Sequence, residues 1–303
     1  MTQIIGAIDI GTNSTKMTVG SIDEGRVSVV FEDSEVTRLG AGVDANKTLQ
    51  DDAVKRTIDA VVRFAEAARS RGAERVVAAG TSALRDASNG PAFIDEVKRK
   101  ADVDVEIISG NREAELAYSA IASDPDIPHG GSILVYDIGG GSTELIVGGE
   151  GGVERFKSLD IGAVRLTERH VNSDPPTSAE IDAIRTNARE ALKSFDFASD
   201  SRVAGIGGTA INIAAVANPH LGKKVHGVVV SRDELATAIG RFASCSLEDR
   251  RKIKGLEPER ADVITAGALI LDELLEAAGA DRFVVSVRGM RFGLIAAEAG
   301  KLR

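Results

Sequence analysis

The feature that most constrains the fold is an internal repeat. Residues 7–12 read AIDIGT and residues 135–143 read VYDIGGGST, so that in each copy an apolar strand ends in Asp-x-Gly before a small polar turn. Further apolar segments follow each turn, at 16–19 and 26–31 in the first copy and at 144–147 and 153–159 in the second. A supersecondary unit that recurs about half a chain later predicts two similar domains.

Helical and strand patterns alternate through the rest of the chain. Apolar spacing and capping signals predict helices over 51–71, 91–101, 111–122, 177–194, 258–279 and 290–299. A further helix is predicted to begin at residue 231. Short buried strands are predicted over 75–79, 105–108, 203–206 and 283–287. Strands that alternate with helices indicate an α/β fold.

The segment around Pro125–Gly130 is the best linker candidate, because prolines and glycines are concentrated there and periodicity is absent. We therefore predict a first domain over 1–125 and a second over 126–303. The alternative is that the C-terminal helix, within 290–303, packs back on the first domain.

Composition excludes several classes of protein. The 303 residues are 43% apolar and carry a net charge of −9, which argues against a nucleic-acid scaffold. Cys245 is the only cysteine, so an intramolecular disulfide and a cysteine-based zinc cluster are both excluded. The sequence shows no signal peptide and no apolar run of membrane-spanning length, and we expect a cytoplasmic protein without a membrane partner.

Glycine-rich turns follow several predicted strands. They lie at Gly11–Thr15, Gly139–Thr143 and Gly207–Thr209, and a fourth turn at Arg288–Arg291 adds two guanidinium groups. Glycine lets successive backbone N–H groups approach and bind a phosphate. A single such turn is usually only a tight turn, whereas two matched copies favour a phosphate clamp.

Three carboxylates accompany the repeated turns. Asp137 and Glu144 flank the second turn and can face one pocket, where carboxylate and phosphate oxygens would suit Mg²⁺. The alternatives are a turn-capping role for Asp137 and an exposed strand position for Glu144. Asp9 holds the matching place in the first copy, but one metal needs only one or two protein carboxylates.

From the sequence pattern alone, the other charged residues have common structural explanations that involve no ligand. Glu113 and Glu115 lie in a first helical turn, where acids serve the macrodipole. Arg85 follows a buried strand and suits either an anion or an ion pair, for example with Asp86. The four histidines show no ligand spacing. A solvated face or a groove for a polyanion could explain the basic residues Lys223, Lys224, Arg250, Arg251 and Lys252.

Four segments in the same order resemble the exopolyphosphatase/guanosine pentaphosphate phosphohydrolase (PPX/GppA) family. They are AIDIGTNS from residue 7, TSALRDA from 81, ISGNREAE from 108 and DIGGGSTE from 137. The resemblance implies two actin-like (ASKHA, ribonuclease H-like) domains with the site in an interdomain cleft. It also implies the short form of the family, without the C-terminal HD-like domain of longer members.

The resemblance further implies residue roles. Glu113 matches the catalytic base that activates water, which replaces the macrodipole interpretation. Asp137 and Glu144 match the acidic pair that binds Mg²⁺ or Mn²⁺ and helps to place the water, and Asp9 remains a third candidate ligand from its place in the repeat. Arg85 matches an arginine that contacts the phosphate chain. The implied phosphate contacts are Asn13, Ser14, Thr15, Gly140, Gly141, Ser142, Thr143, Gly208, Thr209 and Arg288.

The expected activity is Mg²⁺-dependent hydrolysis of the terminal phosphate of inorganic polyphosphate. One alternative is hydrolysis of guanosine pentaphosphate (pppGpp) at its 5′ phosphate, although an aromatic content of 4% leans towards polyphosphate. Alternatives from other classes are an ATP-dependent sugar-kinase-like phosphotransferase and a non-enzymatic nucleotide switch. A homodimer is expected if the apolar helix over 262–278 is exposed.

Overall fold

The computed structural model describes residues 3–23, 26–124, 126–127, 131–149, 151–197, 201–222 and 224–301. Of the predicted linker, Pro125, Pro128, His129 and Gly130 lie outside the described residues, as does Lys223. The chain separates into two compact units. The first holds Met1–Ser123 and Arg288–Arg303, and the second holds Asp124–Val287.

The strands, in chain order, are β1 (Gln3–Ile10), β2 (Thr15–Asp23), β3 (Arg26–Glu35), β4 (Arg75–Gly80), β5 (Asp104–Ile107), β6 (Ile133–Ile138), β7 (Thr143–Gly149), β8 (Gly152–Leu159), β9 (Arg202–Ile206), β10 (Val229–Ser231) and β11 (Arg282–Val285).

The helices are α1 (Val43–Asn46), α2 (Asp51–Ser70), α3 (Ser82–Asp86), α4 (Gly90–Ala101), α5 (Gly110–Ala122), α6 (Ala163–His170), α7 (Ser178–Leu192), α8 (Gly207–Ala217), α9 (Arg232–Ser244), α10 (Leu247–Arg250), α11 (Ile264–Ala277) and α12 (Met290–Lys301), with a 3-10 turn at Pro258–Arg260. Among the described residues, no helix has both the length and the apolar composition that crossing a bilayer requires.

Each unit contains one mixed sheet, and the two sheets share a plan. In the first unit the order is β3-β2-β1-β4-β5, with β1, β2 and β3 antiparallel and with β4 and β5 parallel to β1. In the second the order is β10-β11-β9-β6-β7-β8, with the same antiparallel start in β6, β7 and β8. The α/β prediction of two similar domains is confirmed.

Helices cover both faces of the first sheet. Ile5 and Ala7 of β1 belong to the apolar cluster that contains α12, whereas Ile8 and Ile10 belong to the cluster that contains α2 and α4. This division follows from the two-residue period of a strand. A side chain at Gly293 of α12 would reach within 2.1 Å of the Leu116 carbonyl oxygen of α5, so glycine permits these two helices to touch.

The core of the second unit corrects two predictions. Residues Ile264–Leu271 of α11 are all buried, so the exposed apolar helix that suggested a homodimer is absent at this position. The continuous helix predicted over 258–279 is wrong as well, because the 3-10 turn ends at Arg260 and α11 begins only at Ile264.

The two ends of the second unit are joined to each other. The Ser286 hydroxyl donates a hydrogen bond of 2.9 Å to Asp124 Oδ2, and both side chains are fully buried. The Val287 N–H donates to His226 Nδ1 at 3.3 Å. The first bond holds the first residue of the unit beside Ser286, and the second ties the last residue, Val287, to His226.

Candidate active site

The turn after β6 is anchored through its carbonyl groups. The Gly139 carbonyl accepts a hydrogen bond from the Ala163 N–H, and the Gly140 carbonyl accepts from the N–H groups of Val164 and Arg165. The Arg165 Nε donates to the Gly141 carbonyl at 2.7 Å. In a planar trans peptide the C=O and the following N–H point in opposite directions. The N–H groups of residues 140, 141 and 142 therefore point away from α6, together, as in an anion-binding nest.

The turn after β1 is built in the same way. The Thr12 carbonyl accepts from the Gly40 N–H at 2.9 Å, and the Asn13 carbonyl accepts from the Arg38 N–H at 3.0 Å. The N–H groups of Asn13 and Ser14 consequently point away from residues 38–40. The Asn13 Nδ2 is also buried and has no acceptor among the residues described, a situation that native structures rarely tolerate without a ligand or water.

The turn predicted at Gly207–Thr209 is the first turn of α8. Gly207 has φ +80°, and a side chain there would lie 2.2 Å from Asp137 Oδ1, so only glycine fits. No side chain caps α8, so its first N–H groups and its macrodipole favour an anion at this end. The Asp137 carboxylate lies beside this helix terminus.

Arg260 lies over the same helix terminus, although none of the sequence motifs described above includes it. A side chain on Gly208 would come within 2.3 Å of the Arg260 guanidinium carbon. Arg260 Nε donates to Glu257 Oε2 at 2.7 Å, and Asn212 links Glu257 back to the Gly208 carbonyl. The sequence did contain a signal for this residue. Glu257 and Arg260 are three residues apart around Pro258, and this spacing indicates a turn in which the carboxylate can hold the guanidinium in place.

Asp137 and Glu144 lie directly opposite each other on β6 and β7. Side chains at such a pair lie on one face with Cβ atoms about 5 Å apart. Glu144 is 1% exposed and accepts a hydrogen bond of 2.7 Å from the Ser158 hydroxyl. The interpretation of Glu144 as an exposed strand residue is therefore wrong. The pair offers the hard oxygen donors that Mg²⁺ prefers.

The first unit differs at the matching position. Asp9 lies opposite Lys16 on β2, where the second unit has a glutamate. Burial raises the pKa of Asp9 above its ordinary value, and the positive charges of Lys16 and Arg291 act in the opposite direction. Lys16 thus places positive charge near Asp9, whereas the second unit has a second carboxylate at the matching position.

Arg85 and Glu113 are brought together in the first unit. Arg85 belongs to α3, and its guanidinium donates to Glu113 Oε2 at 2.8 Å and to the Ile108 carbonyl at 3.0 Å. Glu113 is in the first turn of α5, where Ser109 caps the helix. Both side chains are partly exposed, so the carboxylate is oriented without being sealed from water.

The threonine hydroxyls of the turns are used inside the protein. Thr143 donates to the Ile161 carbonyl at 2.7 Å, Thr209 donates to the Ile138 carbonyl at 2.9 Å, and Thr15 is bonded to Thr37. All three side chains are buried. These contacts brace the turns and favour backbone N–H groups as the phosphate donors.

The remaining predicted residues are dispersed. The Arg288 guanidinium lies 5.7 Å from the centre of the Phe292 ring, and that of Arg291 bonds to Thr18 and Glu32. The basic segment does not form one exposed face. The Arg250 side chain is buried and donates to three backbone carbonyls, whereas exposed Lys252 pairs with acids of its own turn.

A further group of possible metal-binding side chains uses none of the predicted ligands. Asp124, Asp126 and His226 bring one ligand atom each within 4.8 Å of the others. Because His226 Nδ1 accepts from the Val287 N–H, the proton of the neutral ring is on Nε2, the atom that faces both carboxylates. Hydrogen bonds therefore account for this group.

Comparison with known proteins identifies the family. The sequence profile of the Ppx/GppA phosphatase family matches residues 18–302. The chain belongs to the Ppx/GppA phosphatase family. Exopolyphosphatase 2 of Mycobacterium tuberculosis is 33% identical over an alignment of 319 positions, which covers 98% of each chain. The Ppx/GppA protein of Aquifex aeolicus shares 32% identity and a TM-score of 0.83, over 100% of this chain and 99% of the other.

Other proteins similar to this chain are longer. The bifunctional 3-dehydroquinate synthase/phosphatase of Fusobacterium nucleatum is 31% identical over 95% of this chain but only 46% of its own length. The guanosine-5′-triphosphate,3′-diphosphate pyrophosphatase of Aeromonas hydrophila is 29% identical over 96% and 58%, respectively. The chain therefore spans about half the length of these two relatives.

Proposed function

We propose that the chain hydrolyses the terminal phosphoanhydride bond of inorganic polyphosphate. The observation that carries the proposal is the anchored turn over residues 139–142, whose three N–H groups point together away from α6. The first unit repeats this construction around Asn13, where a buried amide donor has no protein acceptor among the described residues. Each of these turns, taken by itself, offers backbone N–H groups to the oxygen atoms of a phosphate group.

Polyphosphate is preferred over pppGpp on two grounds. The M. tuberculosis exopolyphosphatase matches this chain over nearly the full length of both proteins, whereas the guanosine-type relative matches over 58% of its own length. Aromatic residues, on which a guanine ring would stack, make up only 4% of the chain. pppGpp is the second candidate substrate, because relatives of this chain include guanosine-5′-triphosphate,3′-diphosphate pyrophosphatases.

The proposed chemistry is an attack of water on the terminal phosphorus. Glu113 accepts the proton of the attacking water, a P–O bond forms, and the bridging P–O bond breaks to release the shortened chain. Arg85 holds the Glu113 carboxylate and supplies positive charge for phosphate oxygens. The turn N–H groups bind phosphate oxygens in the bound substrate and in the transition state alike, and Arg260 adds positive charge beside the first turn of α8.

The cation is proposed to be Mg²⁺, or Mn²⁺, held by Asp137 and Glu144. Their opposite positions on β6 and β7 and their oxygen donors fit such an ion. When bound, the cation would neutralise charge on the phosphate oxygens. Asp9 is the weaker candidate ligand, because Lys16 lies opposite it.

The test is phosphate release with Mg²⁺ from short polyphosphate, long polyphosphate, pppGpp and ATP. Glu113→Gln should lower kcat by about 10²- to 10⁴-fold, because it removes the proton acceptor while keeping the shape. Glu115→Gln is the matched control, since Glu115 lies two residues along α5, is exposed and pairs with Arg112. Full activity of Glu113→Gln would exclude Glu113 as the base, and no release from any polyphosphate would exclude the function.

The metal assignment has its own test, which does not use activity. Calorimetric titration with Mn²⁺ should show weaker binding to Asp137→Asn than to the unmodified protein. Asp9→Asn should bind the ion as the unmodified protein does. Equal affinity in the unmodified protein and Asp137→Asn would remove Asp137 from the ligand set.

A further inference from the structure

Arg165 is a buried charge that neither the sequence motifs nor the proposed chemistry uses. Its side chain is 6% exposed, although it lies in the first turns of α6. Burying a guanidinium is costly unless its N–H groups find acceptors. Its Nε donates at 2.7 Å to the Gly141 carbonyl, the last of the three carbonyls that anchor the turn.

The other two carbonyls do not depend on this side chain. Those of Gly139 and Gly140 accept from backbone N–H groups at the start of α6, which any sequence would supply. The carbonyl of the Gly141–Ser142 peptide instead accepts a hydrogen bond from the Arg165 guanidinium. Without that bond, the peptide can rotate and turn the Ser142 N–H out of line with its neighbours.

We propose that Arg165 is a positioning residue that fixes the Gly141–Ser142 peptide, so that the Ser142 N–H is aimed at a phosphate of the substrate. The inference rests on the proposed function, because it assumes that this turn binds phosphate. Arg165 acts from behind the turn and touches the protein backbone rather than the substrate.

The test compares two buried arginines of the second unit. Arg165→Met keeps the length and loses the donors. Arg250→Met is the matched control, since Arg250 is 3% exposed and its Nε also donates at 2.7 Å to a carbonyl, that of Phe242. Both variants lose buried hydrogen bonds, so both should have a lower Tm.

The kinetic readout separates the two variants. A hydrogen bond made to phosphate in both the ground state and the transition state affects KM more than kcat. We expect Arg165→Met to raise KM for polyphosphate at least tenfold, equivalent to about 1.4 kcal/mol, with kcat within threefold. Arg250→Met should leave KM within twofold. Arg165→Lys, which keeps one donor, should recover part of the loss.

The second readout is amide hydrogen exchange over residues 139–145, which does not depend on activity. Exchange there should be faster in Arg165→Met than in the unmodified protein and Arg250→Met. An unchanged KM in Arg165→Met, or an equal rise in Arg250→Met, would overturn the inference. If the unmodified protein is inactive on every substrate, the proposed function is refuted instead. In that case, unchanged amide exchange over residues 139–145 in Arg165→Met would also refute the claim that Arg165 anchors the turn.

Discussion

Gly162→Ala tests whether the position of the turn over residues 139–142 matters. Gly162 immediately precedes α6 with φ −153°, an extended conformation that alanine adopts without strain. A Cβ there would lie 2.4 Å from the Gly140 carbonyl oxygen and 2.6 Å from the Gly141 nitrogen. Carbon and carbonyl oxygen normally approach to about 3.3 Å, so the turn must move by about 0.9 Å.

Two opposing effects set the change in stability. Overpacking against a backbone costs roughly 1–3 kcal/mol, and the lower entropy of the unfolded alanine chain returns about 0.4–1 kcal/mol. We expect a net loss of about 1–2 kcal/mol. A displacement near 1 Å of groups that position a substrate can cost about 10²-fold, so kcat/KM for polyphosphate should fall by about that factor.

Gly240→Ala in α9 is the matched control. An added Cβ meets nothing within 4 Å there, so the helix should gain about 0.5–1 kcal/mol with unchanged activity. Stability is measured by chemical denaturation and activity by phosphate release. A Gly162→Ala protein with unaltered stability and kcat/KM would refute the claim that the backbone of this turn is closely packed against Gly162 and positions the substrate.

Two further predictions concern stability. Bonds to N–H groups around Thr177 lower the pKa of Glu180 from 4.5 to about 2. Because the folded-state pKa is the lower one, Glu180 stabilises the fold above pH 4.5, and this contribution declines as the pH falls towards 2. Glu180→Ala should therefore lower Tm at pH 7 and have little effect near pH 2, and a pH-independent difference would contradict this. Glu273 is buried and accepts hydrogen bonds from Arg185 and Arg189. Glu273→Leu should cost about 1–3 kcal/mol in chemical denaturation, because Arg189 loses this carboxylate, whereas Arg185 keeps its bond to Asp272. An unchanged midpoint would show that this ion network contributes nothing.

The repeated strand–turn–strand pattern was the strongest signal in the sequence. The Asp-x-Gly turns at Asp9 and Asp137 are each closed by the same bond, from the N–H of the following glycine to the carbonyl of Ser14 and Ser142. Local residue types fix such turns, and alternating apolar residues fix the strands beside them. The start of each sheet was therefore predictable.

In the second unit, α6 and α8 were not predicted, for physical reasons. α8 begins with two glycines, which normally favour the end of a helix, and it is apolar on all sides because it is buried. α6 has only eight residues and no side-chain cap at Gly162. Tertiary packing rather than local propensity stabilises both.

The hydrogen-bond partners of individual side chains were the least predictable feature. Arg250 stands in a run of basic residues that resembles a solvated face, yet its guanidinium turns inward to backbone carbonyls. Thr143 and Thr209 look like phosphate donors, yet their hydroxyls brace the backbone. Such choices depend on acceptors that are distant in sequence and close only after folding.

The hydrogen bond between Asp124 and Ser286 has a consequence for how the chain assembles. In covalent terms the second unit is an insertion into the first, whose segments 1–123 and 288–303 it separates. Once the inserted unit folds, its ends lie side by side, and the long loop that separates α12 from α5 becomes a short one. The logarithmic cost of loop closure then falls by about 3 kcal/mol. Folding of the insertion therefore prepares α12 to dock, and the C-terminal helix is expected to be the last element that the first unit acquires.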